Sequence, residues 1–459
     1  MQIGSHHFDS SILRAYDIRG IVGETLFEAD AYYIGRSFAT CLLKSADSIA
    51  VGRDGRLSSP MLETALIQGL QDAGQMVCSI GLSSTPLLYY TIFEHAHAGG
   101  IMVTGSHNPP THNGFKLMRG RSPFFGQAIC DLEAIAASGK FLSGQGKVQY
   151  FSPMETYGTR LLKDLEISPR LRVAWDTGNG TVGPILQTLI TRLPCTSFHI
   201  NQSVDGRFPT HPPDPSLPEN LHDLRALVQR ERCDIGIAFD GDGDRMGIID
   251  ENGNSVSGDK VLLLFARDIL VRCPGATIIA DAKTSQTFFD DVVKLGGYPI
   301  MEKTGHSIIK TRMQETGALL AGEMSGHIFF ADAWYGFDDA LYAALRLLML
   351  LTQQGGTLSE LLHLLPSLYA TPELSFPCLD TDKKAVIKRI VQRLQQEQAN
   401  FLTIDGVRVR TAQGWWLLRA SNTQALLTGR AEASSPEALE MLQQELKHYL
   451  HYGMGSNDA

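Results

Sequence analysis

Three aspartates, Asp240, Asp242 and Asp244, stand at alternate positions in the stretch FDGDGDR, with glycines between them. Small residues between carboxylates let the backbone curl until three hard oxygen ligands converge on one cation. That donor set suits Mg2+, which keeps its remaining positions for water or a phosphate oxygen. One Asp-Gly pair is an ordinary solvated turn, but three at this spacing after the apolar run IGIAF reverse those odds. The sharper rival is a calcium-binding EF-hand, because Glu251 falls at the twelfth position of such a loop. An EF-hand needs glycine at its sixth position, where Arg245 stands, and helical flanks, where IGIAF and MGIID read as strands. Arg245 can face an oxygen that the metal also holds, as in a phosphoryl clamp, or simply pair with the aspartates.

Five other stretches carry donors for an anionic or polyhydroxylated ligand. VTGSHNPPTHNGFK, from Val103 to Lys116, holds Ser106 outside any Gly-x-Ser-x-Gly elbow, so a hydrolase nucleophile is a poor reading. If Ser106 instead carries a phosphoryl group, a metal to neutralise it and cations to position it form a coherent set. GEMSGH, from Gly322 to His327, offers Glu323, Ser325 and His327, which suit sugar hydroxyls that both donate and accept. RASNTQ, from Arg419 to Gln424, can wrap a dianion with guanidinium, hydroxyl and backbone donors. YDIRG and KTGHSIIK add Arg19 and His306, residue types that taken singly are more often surface charges or satisfied histidines.

These residues need strands that end in small polar loops. The runs SIAVGRDGR, GGIMVTGSHN, LRVAWDTGNG, DIGIAFDGDGD, ATIIADAKTSQ and ALLAGEMSGH have that form, alternating with helical segments as in α/β units with buried strands. An early and a late strand recur in each third of the chain, a weak internal triplication. Ligands of open α/β sheets gather beyond the carboxyl ends of the strands, where all six loops sit. The last hundred residues read as a small α+β domain. DTDKKAVIKRIVQRL puts Val386, Ile387, Ile390, Val391 and Leu394 on one helical face, FLTIDGVRVR is a hairpin about Asp405-Gly406, and SSPEALEMLQQELKHYL is a helix with Ser435 as N-cap and Pro436 first. Leu365 to Leu374 is the expected linker, and a C-terminal domain beyond it could swing shut over a ligand.

Composition sets the outer limits. A chain of 459 residues, 43% hydrophobic and 19% charged, has room for several cores and the balance of a soluble protein. The net charge of -9 argues against general affinity for nucleic acid, so an anionic ligand must meet local positive charge. The seven cysteines lie far apart with no Cys-x-x-Cys, so neither a zinc site nor a disulfide framework is expected, and a reducing, cytoplasmic location is. The N-terminus lacks the apolar core of a signal peptide, and the longest apolar run, Leu341 to Leu351, contains Arg346 and is too short to span a bilayer. No membrane and no nucleic-acid partner are expected, and the chain is taken as a monomer.

YDIRG, TGSHNPPTHNGFK, FDGDGDR, KTGH, GEMSGH and RASNTQ, in this order through nearly the full length, resemble the α-D-phosphohexomutases, the bacterial phosphomannomutase/phosphoglucomutase type in particular. The resemblance implies four domains around a central active-site cleft: three related α/β/α domains with mixed sheets over 1–151, 152–253 and 254–366, then an α+β domain over 367–459. It implies interconversion of hexose 1-phosphate and hexose 6-phosphate, mannose or glucose, through phospho-Ser106 and a hexose 1,6-bisphosphate. It further implies that Mg2+ is held by Asp240, Asp242, Asp244 and an oxygen on Ser106, and that Lys116, Arg19, Arg245 and His327 assist catalysis. Lys283, His306, Glu323, Ser325 and His327 are placed at the sugar, and Arg419, Ser421, Asn422 and Thr423 at the phosphate that is not reacting. A sugar phosphatase and a non-catalytic sugar-phosphate or calcium sensor are the competing accounts.

Overall fold

The computed structural model describes residues 4–42, 48–366, 368–421 and 425–455. Three of its sheets repeat one winding. A central strand pairs parallel with the next strand on one side and with the third strand on the other, and a fourth strand folds back antiparallel on the third. The central strands are Ile49–Arg53, Arg172–Asp176 and Thr277–Asp281, flanked by Val77–Leu82, Thr196–Ile200 and Tyr298–Glu302. The third strands are Gly99–Val103, Ile235–Phe239 and Leu320–Gly322, and the returning strands are His112–Arg119, Met246–Asp250 and Ile328–Phe330. Every residue of the third strands is buried, so both faces of each sheet need cover, which the intervening helices supply. This is an α/β fold of three α/β/α units with mixed sheets. The turns that hold Ser106, the three aspartates and Glu323 all join a third strand to its returning strand.

The fourth sheet is antiparallel throughout, built from Tyr369–Ala370, Leu374–Pro377, Phe401–Leu402, Val407–Arg410, Gly414–Ala420 and Leu426–Ala433. Leu402 faces Arg408 across the expected hairpin. Val386, Ile390 and Leu394 of the helix Lys383–Gln396 are buried against this sheet. Ser435 caps the helix Pro436–Met454, its hydroxyl accepting from the Ala438 N–H at 3.2 Å. The stretch read as a linker is more structured than its composition implies: Tyr369–Ala370 pairs with Leu426–Ala433, and Pro366 and Pro372 confine it to an edge position. The run Leu341 to Leu351 lies inside the helix Ala340–Gln354, in a core shared by all three units. No helix among the described residues is long and apolar enough to cross a membrane, and all seven cysteines are free.

Candidate active site

Ser106 sits in the first of the three equivalent turns, 1% exposed, with φ of 48°. A residue with a Cβ seldom takes this left-handed backbone, so the loop around it must hold it there. Its N–H donates to Thr104 Oγ1 at 2.8 Å, and its carbonyl accepts from Arg56 at 2.7 Å. Its Oγ donates to Asp240 Oδ2 at 2.7 Å. Gly241 permits this approach, because a Cβ there would stand 2.5 Å from the Ser106 carbonyl oxygen.

Asp240, Asp242 and Asp244 are fully buried, and one carboxylate oxygen from each lies within 4.8 Å of the other two. Asp240 Oδ1 accepts the N–H groups of Gly243, Asp244 and Arg245 at 2.9, 3.0 and 3.2 Å. The Lys116 ammonium donates to Asp242 Oδ2 at 2.7 Å and to Asp244 Oδ2. Burial alone would push the lysine down, but Asp242 and Asp244 overcome it and hold it above its ordinary value. Burial, with Asp242 and Asp244 as like charges, raises the Asp240 carboxyl well above the carboxylate range. At Asp242 burial is outweighed by Lys116, which keeps it below that range. Thr85 Oγ1 also donates to Asp242 Oδ2, at 2.5 Å.

Asp242 Oδ1 and Asp244 Oδ1 are buried without a hydrogen-bond donor. Such oxygens are costly unless a cation meets them. Three carboxylates with free lone pairs, beside the Ser106 hydroxyl, fit a hard divalent ion. The flanks Ile235–Phe239 and Met246–Asp250 are paired strands, which excludes an EF-hand, and Glu251 instead accepts from the Ser359 N–H at 3.3 Å.

Arg19 Nε pairs with Asp17 at 2.7 Å, and its Nη1 donates to Asn108 Oδ1 at 2.9 Å beside the Ser106 turn. Arg245 Nε donates to His327 Nε2 at 2.9 Å, which leaves the ring proton on Nδ1, 3.0 Å from Asp338 Oδ2 and 3.7 Å from Asp244 Oδ1. His306 stacks on His327 with ring centres 5.6 Å apart. Burial and the Lys310 ammonium hold His306 well below its ordinary value, so it is neutral. Lys310 itself pairs with Asp338 at 2.8 Å and caps the Tyr89 ring at 4.4 Å. Glu323 accepts the Gly305 N–H, joining the GEMSGH turn to the KTGH loop, and Ser325 is half-buried at the tip of that turn.

A second group forms where the C-terminal domain meets the third unit. Arg419 Nε donates to Asp405 Oδ2 at 2.6 Å, and that oxygen also accepts the Thr304 N–H at 3.1 Å. Tyr16 OH donates to the Thr304 carbonyl at 2.9 Å, so YDIRG, KTGH and the Arg419 strand meet at one point. Lys283 pairs with Glu373 at 2.9 Å, and burial of Glu373 is outweighed by Lys283, with Arg419 adding to it. The Ser421 N–H donates to the Leu426 carbonyl at 3.0 Å, and its own carbonyl accepts from Lys383 at 2.6 Å. Asn422 and Thr423 lie outside the described residues. The candidates thus fall into two sets, one around the aspartates and His327, the other around Asp405 and Glu373.

Sequence reasoning missed four residues of the first set. Asp54 and Arg56 brace the Ser106 turn, and their only signal was a strand ending in GRDGR. Lys310 closes KTGHSIIK without any mark of its role, and Asp338 in FDDA had no signal at all.

Four consecutive segments match the models for phosphoglucomutase/phosphomannomutase: alpha/beta/alpha domain I at residues 10–141, domain II at 154–253, domain III at 257–369 and the C-terminal domain at 378–448. The phosphomannomutase/phosphoglucomutase of Pseudomonas aeruginosa is 43% identical over 442 residues, 96% of each chain. The phosphoglucomutase of Neisseria gonorrhoeae is 43% identical over 441 residues, 95% of this chain and 96% of its own. The crystal structure of a phosphoglucomutase/phosphomannomutase family protein from Burkholderia thailandensis has a TM-score of 0.91 at 39% identity, covering 97% of this chain and 98% of that one.

Proposed function

Because the chain belongs to the phosphoglucomutase/phosphomannomutase family, the α-D-phosphohexomutases, we propose that it interconverts hexose 1- and 6-phosphates with Ser106 as phosphoryl carrier and Asp240, Asp242 and Asp244 as ligands of Mg2+. It is an isomerase of hexose phosphates. The observation that carries the assignment of roles is the 2.7 Å bond from Ser106 Oγ to Asp240, with two donorless carboxylate oxygens in the same aspartate cluster.

Phospho-Ser106 gives its phosphoryl group to the free hydroxyl of a hexose monophosphate. The Oγ–P bond breaks as the bond from the sugar oxygen to phosphorus forms, and the hydroxyl proton ends on Oγ with Lys116 as relay. The hexose 1,6-bisphosphate turns over in the cleft, and its other phosphate returns to Ser106 by the same step in reverse. Arg19 and Arg245 steady the phosphoryl oxygens, because this chemistry depends on positioning and charge more than on covalent help. Lys283, Glu323 and Ser325, with His306 and His327, hold the sugar. Arg419, Ser421, Asn422 and Thr423 grip the distal phosphate in both orientations. Bound Mg2+ would offset negative charge on the transferring group. Closure of the C-terminal domain keeps water from the phosphoserine, whose hydrolysis would stop the cycle.

The test is incubation with glucose 1-phosphate or mannose 1-phosphate, Mg2+ and a trace of the 1,6-bisphosphate. The 6-phosphate is expected, with one phosphate on Ser106 by intact mass. Ser106→Ala is expected to bind substrate by calorimetry without turning it over. Release of inorganic phosphate in place of isomer would mark a phosphatase, and binding without turnover in the parent would mark a sensor.

A further inference from the structure

Arg56 is buried to 1% exposure behind the Ser106 turn and spends all five of its N–H donors there. Its Nε donates to Asp54 Oδ2 at 3.0 Å. Nη1 donates to the carbonyls of Pro109 and His112 at 2.5 and 3.0 Å, and Nη2 to those of Ser106 and Asn108 at 2.7 and 2.6 Å. Four carbonyls of one turn therefore aim at one planar cation. Asp54 braces the other side: Oδ2 accepts the Gly105 N–H at 3.1 Å and Thr104 Oγ1 at 2.9 Å, and that threonine oxygen accepts the Ser106 N–H. The left-handed backbone of Ser106 is held between these two charged side chains.

The guanidinium face is covered from the second unit. The Phe208 ring lies 5.1 Å from Arg56 Cζ, within cation–π range. Phe208 is itself buried with φ of 48°, a backbone that a bulky residue takes only where its surroundings compel it. Its loop presses closely on the first unit, since a Cβ on Gly206 would stand 2.4 Å from Arg56 Cα. The same loop is tied to the sheet that carries the aspartates: the Asp205 N–H donates to the Asn179 carbonyl at 3.0 Å, and His211 Nε2 lies 3.0 Å from Asp176 Oδ2. One guanidinium thus shapes the serine turn and receives the unit that brings Asp240.

We propose that Arg56, seated by Phe208, is the positioning residue that sets where Ser106 Oγ stands relative to the aspartate cluster. The inference rests on the reading of Ser106 as the phosphoryl carrier. Arg56→Lys keeps the charge but replaces a planar fork with three donors on a point charge. Phe208→Gly removes the ring and leaves a residue at ease in the left-handed backbone.

Parent and variants are incubated with hexose 1,6-bisphosphate and Mg2+, and phosphate on Ser106 is followed by intact mass over time. Steady-state kcat and KM for glucose 1-phosphate and unfolding midpoints are measured alongside. Arg56→Lys is expected to slow both serine phosphorylation and kcat by about 100-fold, the cost of a displacement near 1 Å, with KM within about threefold. Phe208→Gly moves the same rates in the same direction by about 10-fold. Guanidinium ion, well below denaturing concentration, is expected to restore part of the rate to Arg56→Gly and none to Arg56→Lys. Serine phosphorylation in Arg56→Lys within about threefold of the parent, or a KM that rises as much as kcat falls, overturns the proposal. If the Arg56 variants do not fold, unchanged rates in Phe208→Gly overturn it. A parent that never carries phosphate on Ser106 removes the carrier reading itself, and this proposal with it.

Discussion

Gly241→Ala adds one methyl group at the narrowest point between the serine turn and the aspartate turn. Gly241 is not in the left-handed region, so alanine is free of backbone strain there. The added carbon would meet the Ser106 carbonyl oxygen at 2.5 Å, while the next atoms, Ser106 C and Pro213 Cγ, stand at 3.4 and 3.5 Å. The two turns must part by roughly 0.9 Å to restore ordinary contact in a close-packed interior. The Ser106 Oγ to Asp240 bond, 2.7 Å long and one residue from the wedge, then leaves hydrogen-bond range. A misplacement of this size lowers rate about 100-fold. Overpacking costs about 1–3 kcal/mol, seen as a lower unfolding midpoint. Steady-state kinetics on glucose 1-phosphate should show kcat falling by about that factor with KM little changed, because Glu323 and Arg419 lie on other units. A variant with kcat within about threefold of the parent and an unchanged midpoint would refute the claim that contact between these turns sets the chemistry.

Lys116→Met leaves the buried carboxylates of Asp242 and Asp244 without their ammonium and should destabilise the metal-free protein by about 3–5 kcal/mol; thermal unfolding with saturating Mg2+ should narrow that gap, and an equal deficit with and without the ion would count against a shared cation site. Arg419→Met removes a charge-assisted donor worth about 1.5–3 kcal/mol, so the KM for hexose phosphate should rise about 10- to 150-fold, and an unchanged KM would show that Arg419 grips no phosphate. Burial pushes the Asp339 carboxyl up to about 7, above the roughly 3.9 of an unfolded chain. The folded protein therefore keeps a proton that the unfolded chain releases, and stability falls as pH rises from about 4 to about 7. Asp339→Asn still offers an acceptor to the Tyr342 N–H and should lose that part of the slope in unfolding midpoints taken against pH; identical slopes in parent and variant would sink the assignment.

What could be read from the chain was whatever depends on near neighbours. The aspartate turn, the Asp405-Gly406 hairpin and the Ser435 cap each declare themselves within a few residues, because turn backbone, helix start and ligand spacing are local matters. The winding of the sheets was legible only as a recurrence of loops after apolar runs, since strand order depends on pairing between distant segments. The supports of the site were hidden for the same reason. Arg56 reaches carbonyls about fifty residues on, and Lys310 meets Tyr89 across 221 positions. Asp338 and Asp339 are adjacent and identical in type, yet one pairs with Lys310 and the other caps the helix Ala340–Gln354. Nothing within FDDA separates them; their partners do.

If, as proposed, one substrate is held in two orientations, the repeat of winding supplies the frame for it. Each unit has a buried aspartate at the end of its central strand or just beyond it, Asp54, Asp176 or Asp281, and each braces a neighbouring loop. Asp54 holds the serine turn, Asp176 holds His211, and Asp281 accepts Thr304 Oγ1 at 3.2 Å beside the KTGH loop. On the proposed function, the equivalent turns have diverged in chemistry, into a hydroxyl carrier, a cation site and a sugar-facing carboxylate. Because all three are fixed to rigid sheets, the proposed carrier and cation site would stay in register whichever end of the sugar is presented. On the same proposal, adaptation to the two orientations would come from the fourth, antiparallel domain, whose Arg419 meets the third unit through hydrogen bonds around Asp405 and Thr304. Directional contacts of that kind can be broken and remade without exposing the apolar core shared by the three α/β/α units.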